Sequence, residues 1–315
     1  PRENGHNSGG QRSRETEVPS HHEASSFSIC SLAPRQSVVQ RSLRQSVPVG
    51  AIFWNGESEM HLKNTTQAEM ADLLPHTPIL VGYRGSISHN MYLPNTDPHS
   101  IDDKDVMGIS IAPLECYMGL DRWEGKEPFL REWDVVVYEV RKFLRLLEKA
   151  NPNVLSLLWL QPNHYLLIEA GGQRLLDHRQ MFMTKQLYDS FTGYAYGQLK
   201  RMTHHAYHGF MGDKRKKLVD QFGFDCKNSS HLVRLLRMGI EALVTGELHV
   251  FRHDAPQLLE IKRGEWTLEQ VQAEAQRLFC RAEEAFDRCT LPNHVDHAAV
   301  NRLAVDILQH YFGKG

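Results

Sequence analysis

A chain of 315 residues with 41% hydrophobic residues carries enough apolar material for a core, is not disordered as a whole, and has the length of two domains or one large one. A formal charge of -2 and a pI near 6.9 leave no global basic signature, so a nucleic-acid partner would have to be held by a local patch. Cys30, Cys116, Cys226, Cys280 and Cys289 show no CxxC or CxxH spacing, which argues against a zinc ribbon and a disulfide framework and suits a reducing, cytoplasmic compartment. No apolar run approaches the ~20 residues of a membrane span, and the N-terminus lacks the apolar core of a signal peptide, so a soluble protein without a membrane partner is expected.

Residues 1–48 are rich in Ser, Arg, Gln, Asn and Gly without periodicity, the composition of a flexible tail. The compact part is expected to begin near "VGAIFWNG". "TPILVGYRGS" reads as an apolar strand closed by glycine, "DKDVMGISIAP" as a second strand, and "FLREWDVVVYEV" as a third, with Asp134, Val136 and Tyr138 on one face. Val140, Phe143, Leu144 and Leu147 then follow helical spacing until Asn151-Pro152. "NVLSLLWL" and "HYLLIEA" fit strand or helix equally well. From about residue 176 the pattern is helical: "TKQLYDSFTGYAYGQLKRMTHHAYHG", "NSSHLVRLLRMGIEALVTGEL" with Asn228 or a following Ser as N-cap and Gly246 at its end, "TLEQVQAEAQRLFCRAEEAFDRC" and "DHAAVNRLAVDILQHYF". The expected architecture is α+β: a small domain of strands and helices over residues 49–175, followed by an α-helical domain over 176–315.

Residues two apart on a strand point the same way, so Asp103 and Asp105 are expected to project from one face and Lys104 from the other. Side-by-side carboxylates repel unless a cation sits between them, and Mg²⁺ is the first candidate for oxygen ligands. Upstream, Gly85 would let the backbone approach a phosphate and Ser86 could donate a hydroxyl at a helix start. Asp134 on a neighbouring strand would complete a two-metal site. Each piece alone is unremarkable, since a Gly-Ser turn is common and a strand DxD is more often a solvated edge; their joint order carries the reading.

That order, "GYRGS…DDKDV…WDVVVY", resembles the nucleotidyltransferase superfamily that includes DNA polymerase β. "GSISHNMYLPNTDPHSIDDKDVMGI", "YEVRKFLRLLEKANPNVLSLLWL" and "KNSSHLVRLLRMGIEALVTGEL" are more closely similar to a phage and bacterial family of predicted nucleotidyltransferases associated with RNA repair, over residues 77–310. The resemblance implies a mixed-sheet nucleotidyltransferase core, two Mg²⁺ ions, and transfer of a nucleoside monophosphate from an NTP to an acceptor hydroxyl. It implies that Gly85 and Ser86 hold the triphosphate, that Asp103 and Asp105 bind metal, and that Asp134 is the third ligand. Glu139 is the rival for that third role, although a carboxylate at a helix start also has a purely structural reason to be there. The chain departs from the superfamily in two places: the segment "LPNTDPHSID" lengthens the interval before Asp103 and is expected to overhang the site, and Asn90 stands where many relatives carry Gly, a substitution that a left-handed backbone tolerates.

In the helical half, His231, Arg234, Arg237 and Glu241 are expected on adjacent turns away from the Leu face, a cationic wall to which Lys227 just before the helix adds charge. The resemblance favours Lys227, His231 and Arg234 for the nucleotide pocket; the bland alternative is an exposed polar face with Arg237 and Glu241 paired at i, i+4. His204 and His208 share helical spacing with His205 between them, but no Glu completes HExxH, which favours a structural or surface role. Lys214 to Lys217 form the strongest basic run, either a nucleic-acid contact or a solvated turn before a helix. Three readings stay open: a Mg²⁺-dependent nucleotidyltransferase acting on an RNA or DNA end, a noncatalytic nucleotide- or RNA-binding module, and toxin-antitoxin-type nucleotidylation of a protein acceptor.

Overall fold

The computed structural model describes residues 74–94, 96–100, 104–126, 129–130, 133–203 and 213–313, all within one compact unit. The tail at 1–48, the "VGAIFWNG" segment, Asp103 and the His204, His205 and His208 cluster lie outside the described residues.

Strands β1 (Thr77–Tyr83), β2 (Lys104–Ile111), β3 (Gly125–Lys126), β4 (Phe129–Leu130), β5 (Trp133–Glu139) and β6 (Tyr165–Ile168) form one mixed sheet in the order β3-β5-β2-β1-β6, with β4 also paired to β5. Only β2 and β5 run parallel; the other pairings are antiparallel. All residues of β1 after Thr77 are buried, as expected of a strand covered on both faces, where an apolar run replaces alternation. The stretch "FLREWDVVVYEV" is two strands rather than one. The charged pair Arg131-Glu132 interrupts its apolar run, and β4 pairs back on β5 with Leu130 opposite Trp133.

The helices are α1 (Gly85–Ser88), α2 (Glu115–Met118), α3 (Val140–Glu148), α4 (Pro152–Ser156), α5 (Ala170–Asp177), α6 (Gln186–Thr203), α7 (Asp213–Phe222), α8 (Cys226–Thr245), α9 (Ala255–Lys262), α10 (Leu268–Arg288) and α11 (His297–Phe312). Helix α3 buries the expected Val140, Phe143, Leu144 and Leu147. Asn151 accepts from the Asn153 and Val154 N–H groups and Pro152 opens α4, so the residues that end one helix start the next. The two ambiguous apolar runs resolve differently: "NVLSLLWL" is α4 followed by a 3₁₀ turn, whereas "HYLLIEA" is β6 running into α5. The N-cap of α8 is Asp225, not Asn228 or a serine; its carboxylate accepts from both the Asn228 backbone N–H and the Asn228 side-chain amide, 3.0 Å each. Lys214 to Lys217 lie within α7 rather than in a turn preceding it.

A continuous core joins Ile79, Leu80, Met107 and Ile109 of the sheet to Leu232, Leu236 and Leu243 of α8 and onward to α10 and α11. The opposite face of the sheet carries a smaller cluster around Val81, Tyr83, Val106 and Val137. Each fully buried Leu or Ile in such a core contributes roughly 1.5–3 kcal/mol, so α8 is fixed in rotation by its apolar side chains. No helix among the described residues is long and apolar enough to cross a membrane.

Candidate active site

The site starts where β1 ends. Arg84 is extended, and its N–H donates to the Asp105 carbonyl at 3.0 Å, tying the end of β1 to the beginning of β2. Gly85 follows with φ +63; a Cβ there would stand 2.3 Å from Asp105 Oδ2, so only glycine leaves room for that carboxylate against the turn. The parallel register of β2 and β5 sets Asp105 opposite Asp134. Asp105 shares its face with Met107, which lines the same cleft, while Lys104 points the other way, over the Trp133 ring.

Arg84 Nη2 lies between the two carboxylates, donating to Asp134 Oδ2 at 2.9 Å and to Asp105 Oδ1 at 3.3 Å. Two aspartates on neighbouring strands are thus held together by a cation, as their mutual repulsion demands. Side chains here are a fifth to a third exposed, so each ion pair is weakened by solvent.

These groups open onto a cleft of about 390 Å³. It is lined by Arg84, Gly85 and Asp105 from the strand ends, by His89, His231 and Arg234, and by Asn153 and Ser156 of α4 with Tyr194, Gln198 and Arg201 of α6. Arg234 is 7% exposed and its Nη1 donates to His89 Nε2 at 2.7 Å and to Met238 Sδ at 3.3 Å. His89 Nδ1 meets the Val250 carbonyl at 2.9 Å. Arginine only donates and a carbonyl only accepts, so His89 is neutral with its proton on Nδ1. Burial first, and then the Arg234 charge, push the His89 pKa well below the ordinary 6.5. His231 is lowered in the same way, by burial and by the charges of Arg234, Lys227 and Lys262. Burial, with the Arg252 charge behind it, lowers Arg234 to about 9, still protonated at neutral pH.

Arg234 differs from the other arginines around it. Arg237 donates to Asp254 and Glu274, and Arg252 to both oxygens of Glu241 and to Asp254, so these cations are neutralised where they stand. The i, i+4 pair of Arg237 with Glu241 does not form, because each side chain finds a partner outside α8. No carboxylate is bonded to Arg234 among the described residues.

The expected site residues therefore divide. Gly85, Asp105, His231 and Arg234 line the cleft, and Asp134 joins it through Arg84. Ser86 and Lys227 do not line it: the Ser86 carbonyl accepts from the Met91 N–H, and Lys227 lies inside the first turn of α8 rather than before it. Glu139 is 2% exposed and is the N-cap of α3, accepting from the Arg141 and Lys142 N–H groups and from the Tyr117 hydroxyl. The described residues of the long loop do not line the cleft: Asp97 pairs with Arg263 at 3.1 Å, and His99 packs toward Phe222. Arg263, the C-cap residue of α9, is the partner that Asp97 finds. Asn90 does adopt the left-handed backbone, φ +59.

Arg84, His89, Gln198 and Arg201 were not singled out in the sequence. Arg84 could have been, as the cation next to the Gly-Ser turn. The other three reach the cleft only through tertiary packing.

The model of the RNA repair pathway DNA polymerase beta family matches residues 96–306. A solved structure, the nucleotidyltransferase-like protein from Exiguobacterium sibiricum 255-15, is similar at 12% identity over 80% of each chain, with a TM-score of 0.27. No curated protein matches the chain.

Proposed function

Because the chain belongs to the RNA repair pathway DNA polymerase beta family, we propose that its cleft moves a nucleoside monophosphate from an NTP to an acceptor hydroxyl on a nucleic-acid end. The observation that carries this reading is the pairing of Asp105, which lines the cleft, with Asp134 across the parallel strands, in a cleft also lined by the buried cation Arg234. A pure binding surface for phosphate has no use for clustered carboxylates.

The donor set suits a hard divalent cation: carboxylate oxygens on adjacent strands, already gathered around a positive charge, with Gly85 keeping space for one of them. Asp105 and Asp134 would hold Mg²⁺, with Asp103, two positions along from Asp105, as a further ligand. Bound Mg²⁺ would supply charge neutralisation on the α-phosphate and lower the pKa of the attacking hydroxyl.

The chain's own residues supply position. Arg234 and His231 would meet the polyphosphate, with Lys227, outside the cleft lining, adding positive potential, and the backbone at Gly85 would let the triphosphate approach closely, a role the Ser86 hydroxyl does not share because Ser86 does not line the cleft. His89 keeps Arg234 in place by accepting from Nη1 while anchored to Val250, so the guanidinium is set before the substrate arrives. Asp134 would orient the acceptor hydroxyl. The acceptor hydroxyl gives up its proton to Asp134 or to solvent, a bond forms between its oxygen and the α-phosphorus, the bond from that phosphorus to the bridging oxygen breaks, and pyrophosphate leaves.

The test is incubation of the purified protein with each α-³²P-labelled NTP, Mg²⁺, and pooled RNA, DNA and protein. Label transferred by the wild type and reduced more than about tenfold by Asp105→Asn is the expected result, since a lost metal ligand removes several kcal/mol of transition-state stabilisation. Equal transfer by the variant rules out the carboxylate assignment. Mg²⁺-dependent nucleotide binding without transfer would favour the noncatalytic module.

A further inference from the structure

We propose that Arg84 is a built-in counter-ion of the cation site: its guanidinium neutralises Asp105 and Asp134 in the metal-free protein and competes with a divalent ion for the same two carboxylates. This rests on the reading of those aspartates as metal ligands.

The geometry of the guanidinium carries the inference. A single nitrogen, Nη2, reaches both carboxylates, at 2.9 and 3.3 Å, so neither pairing is bidentate. Nε of Arg84 is buried without a hydrogen-bond partner among the described residues. Arg252 shows how the same fold seats an arginine permanently: Nη1 and Nη2 take both oxygens of Glu241, and Nε donates to Asp254 at 2.7 Å. A fork used in full is costly to undo, whereas one shared nitrogen with an unmet Nε–H is weakly held. Release needs no backbone change, because the Arg84 N–H is fixed on the Asp105 carbonyl and the side chain already lines the cleft.

The competition follows from charge. Two carboxylates on adjacent strands need a positive neighbour, and either the guanidinium or a dication can be that neighbour. With both in contact, their like charges oppose each other. Arg84 therefore lowers the intrinsic affinity of the site for metal while protecting the strand ends from carboxylate repulsion when metal is absent.

Titration of Mn²⁺ into metal-free protein, with free ion read by electron paramagnetic resonance, tests this on wild type, Arg84→Met, Arg84→Gln and Arg84→Lys. The neutral variants are expected to bind Mn²⁺ about tenfold tighter, the scale of one charge-assisted hydrogen bond no longer given up. They should also melt at lower temperature in EDTA and gain more from added Mn²⁺. Arg84→Lys, which keeps the charge, should stay near wild type. Using two neutral variants of different polarity guards against loss of folding in one of them. Wild-type binding with unchanged or weaker affinity in the folded neutral variant overturns the counter-ion role alone. Failure of every form to bind Mn²⁺ overturns the metal reading, and this proposal with it.

Discussion

Arg234 and Arg252 have the same side chain, and both are nearly buried, at 7% and 4% exposure, yet their surroundings assign them opposite tasks. Arg252 is encased by Glu241 and Asp254, which raise its pKa against the desolvation that burial imposes. Arg234 has a neutral imidazole and a thioether for partners. A buried charge without a bonded carboxylate is costly to the fold, and such a cost persists where an anion is to be met. Arg234→Met is accordingly expected to weaken nucleotide binding by at least about tenfold, the value of one or more charge-assisted contacts, while changing folding stability little or raising it. Calorimetric binding of each NTP together with urea unfolding separates the two effects. A large loss of stability with unchanged binding would show Arg234 to be structural.

At the scale of elements, the carboxylates are sorted by where strands end. Asp105 and Asp134 stand one residue inside the beginnings of β2 and β5, where the parallel register brings them side by side. Glu139, at the far end of β5, turns inward to cap α3 and to accept from Tyr117, whose phenol is pushed up by burial and by that same carboxylate. Glu139→Ala should therefore cost stability, roughly 1–3 kcal/mol from the lost cap and the stranded hydroxyl. Activity per folded molecule should stay near wild type. Thermal unfolding and the labelling assay, scored on folded protein, check this; a large fall in turnover with intact stability would return Glu139 to the list of ligands. Seen from the sequence, the helix-start position of Glu139 already suggested this role. The split of "FLREWDVVVYEV" into β4 and β5 was harder to see, because β propensity continues on both sides of Arg131-Glu132 and only pairing decides that the chain folds back.

For the molecule as a whole, the sheet and the helices share one core, and His89 is a polar tie across it, fixed to Val250 on one side and to Arg234 on the other. Its neutral form belongs to the folded state. Below about pH 6.5 the unfolded chain takes up a proton at this histidine that the folded chain refuses, so stability falls as pH drops through that range, by up to about 1.4 kcal/mol per pH unit. His231, lowered for the same reasons, adds to the slope. Urea unfolding at pH 7.5 and 5.5 should show this loss, and His89→Gln, which can still accept from Arg234, should show less of it. Identical pH slopes in the two proteins would remove His89 from the account.

The sequence by itself determined the order of chemistry along the chain: a Gly-Ser turn, a strand carrying Asp103 and Asp105 at its start, a strand carrying Asp134, and amphipathic helices whose apolar spacing fixes which face is buried. These are local properties, set by strand and helix periods and by caps, so neighbouring residues suffice to reveal them. Which carboxylates face each other, which arginine stays unneutralised and which polar groups share a cleft were decided only by tertiary structure. Each of those depends on contacts between residues far apart in the chain: 50 positions from Arg84 to Asp134 and 145 from His89 to Arg234. The free energy of a buried charge is set by what lies around it in space, and no local pattern in a single sequence records that.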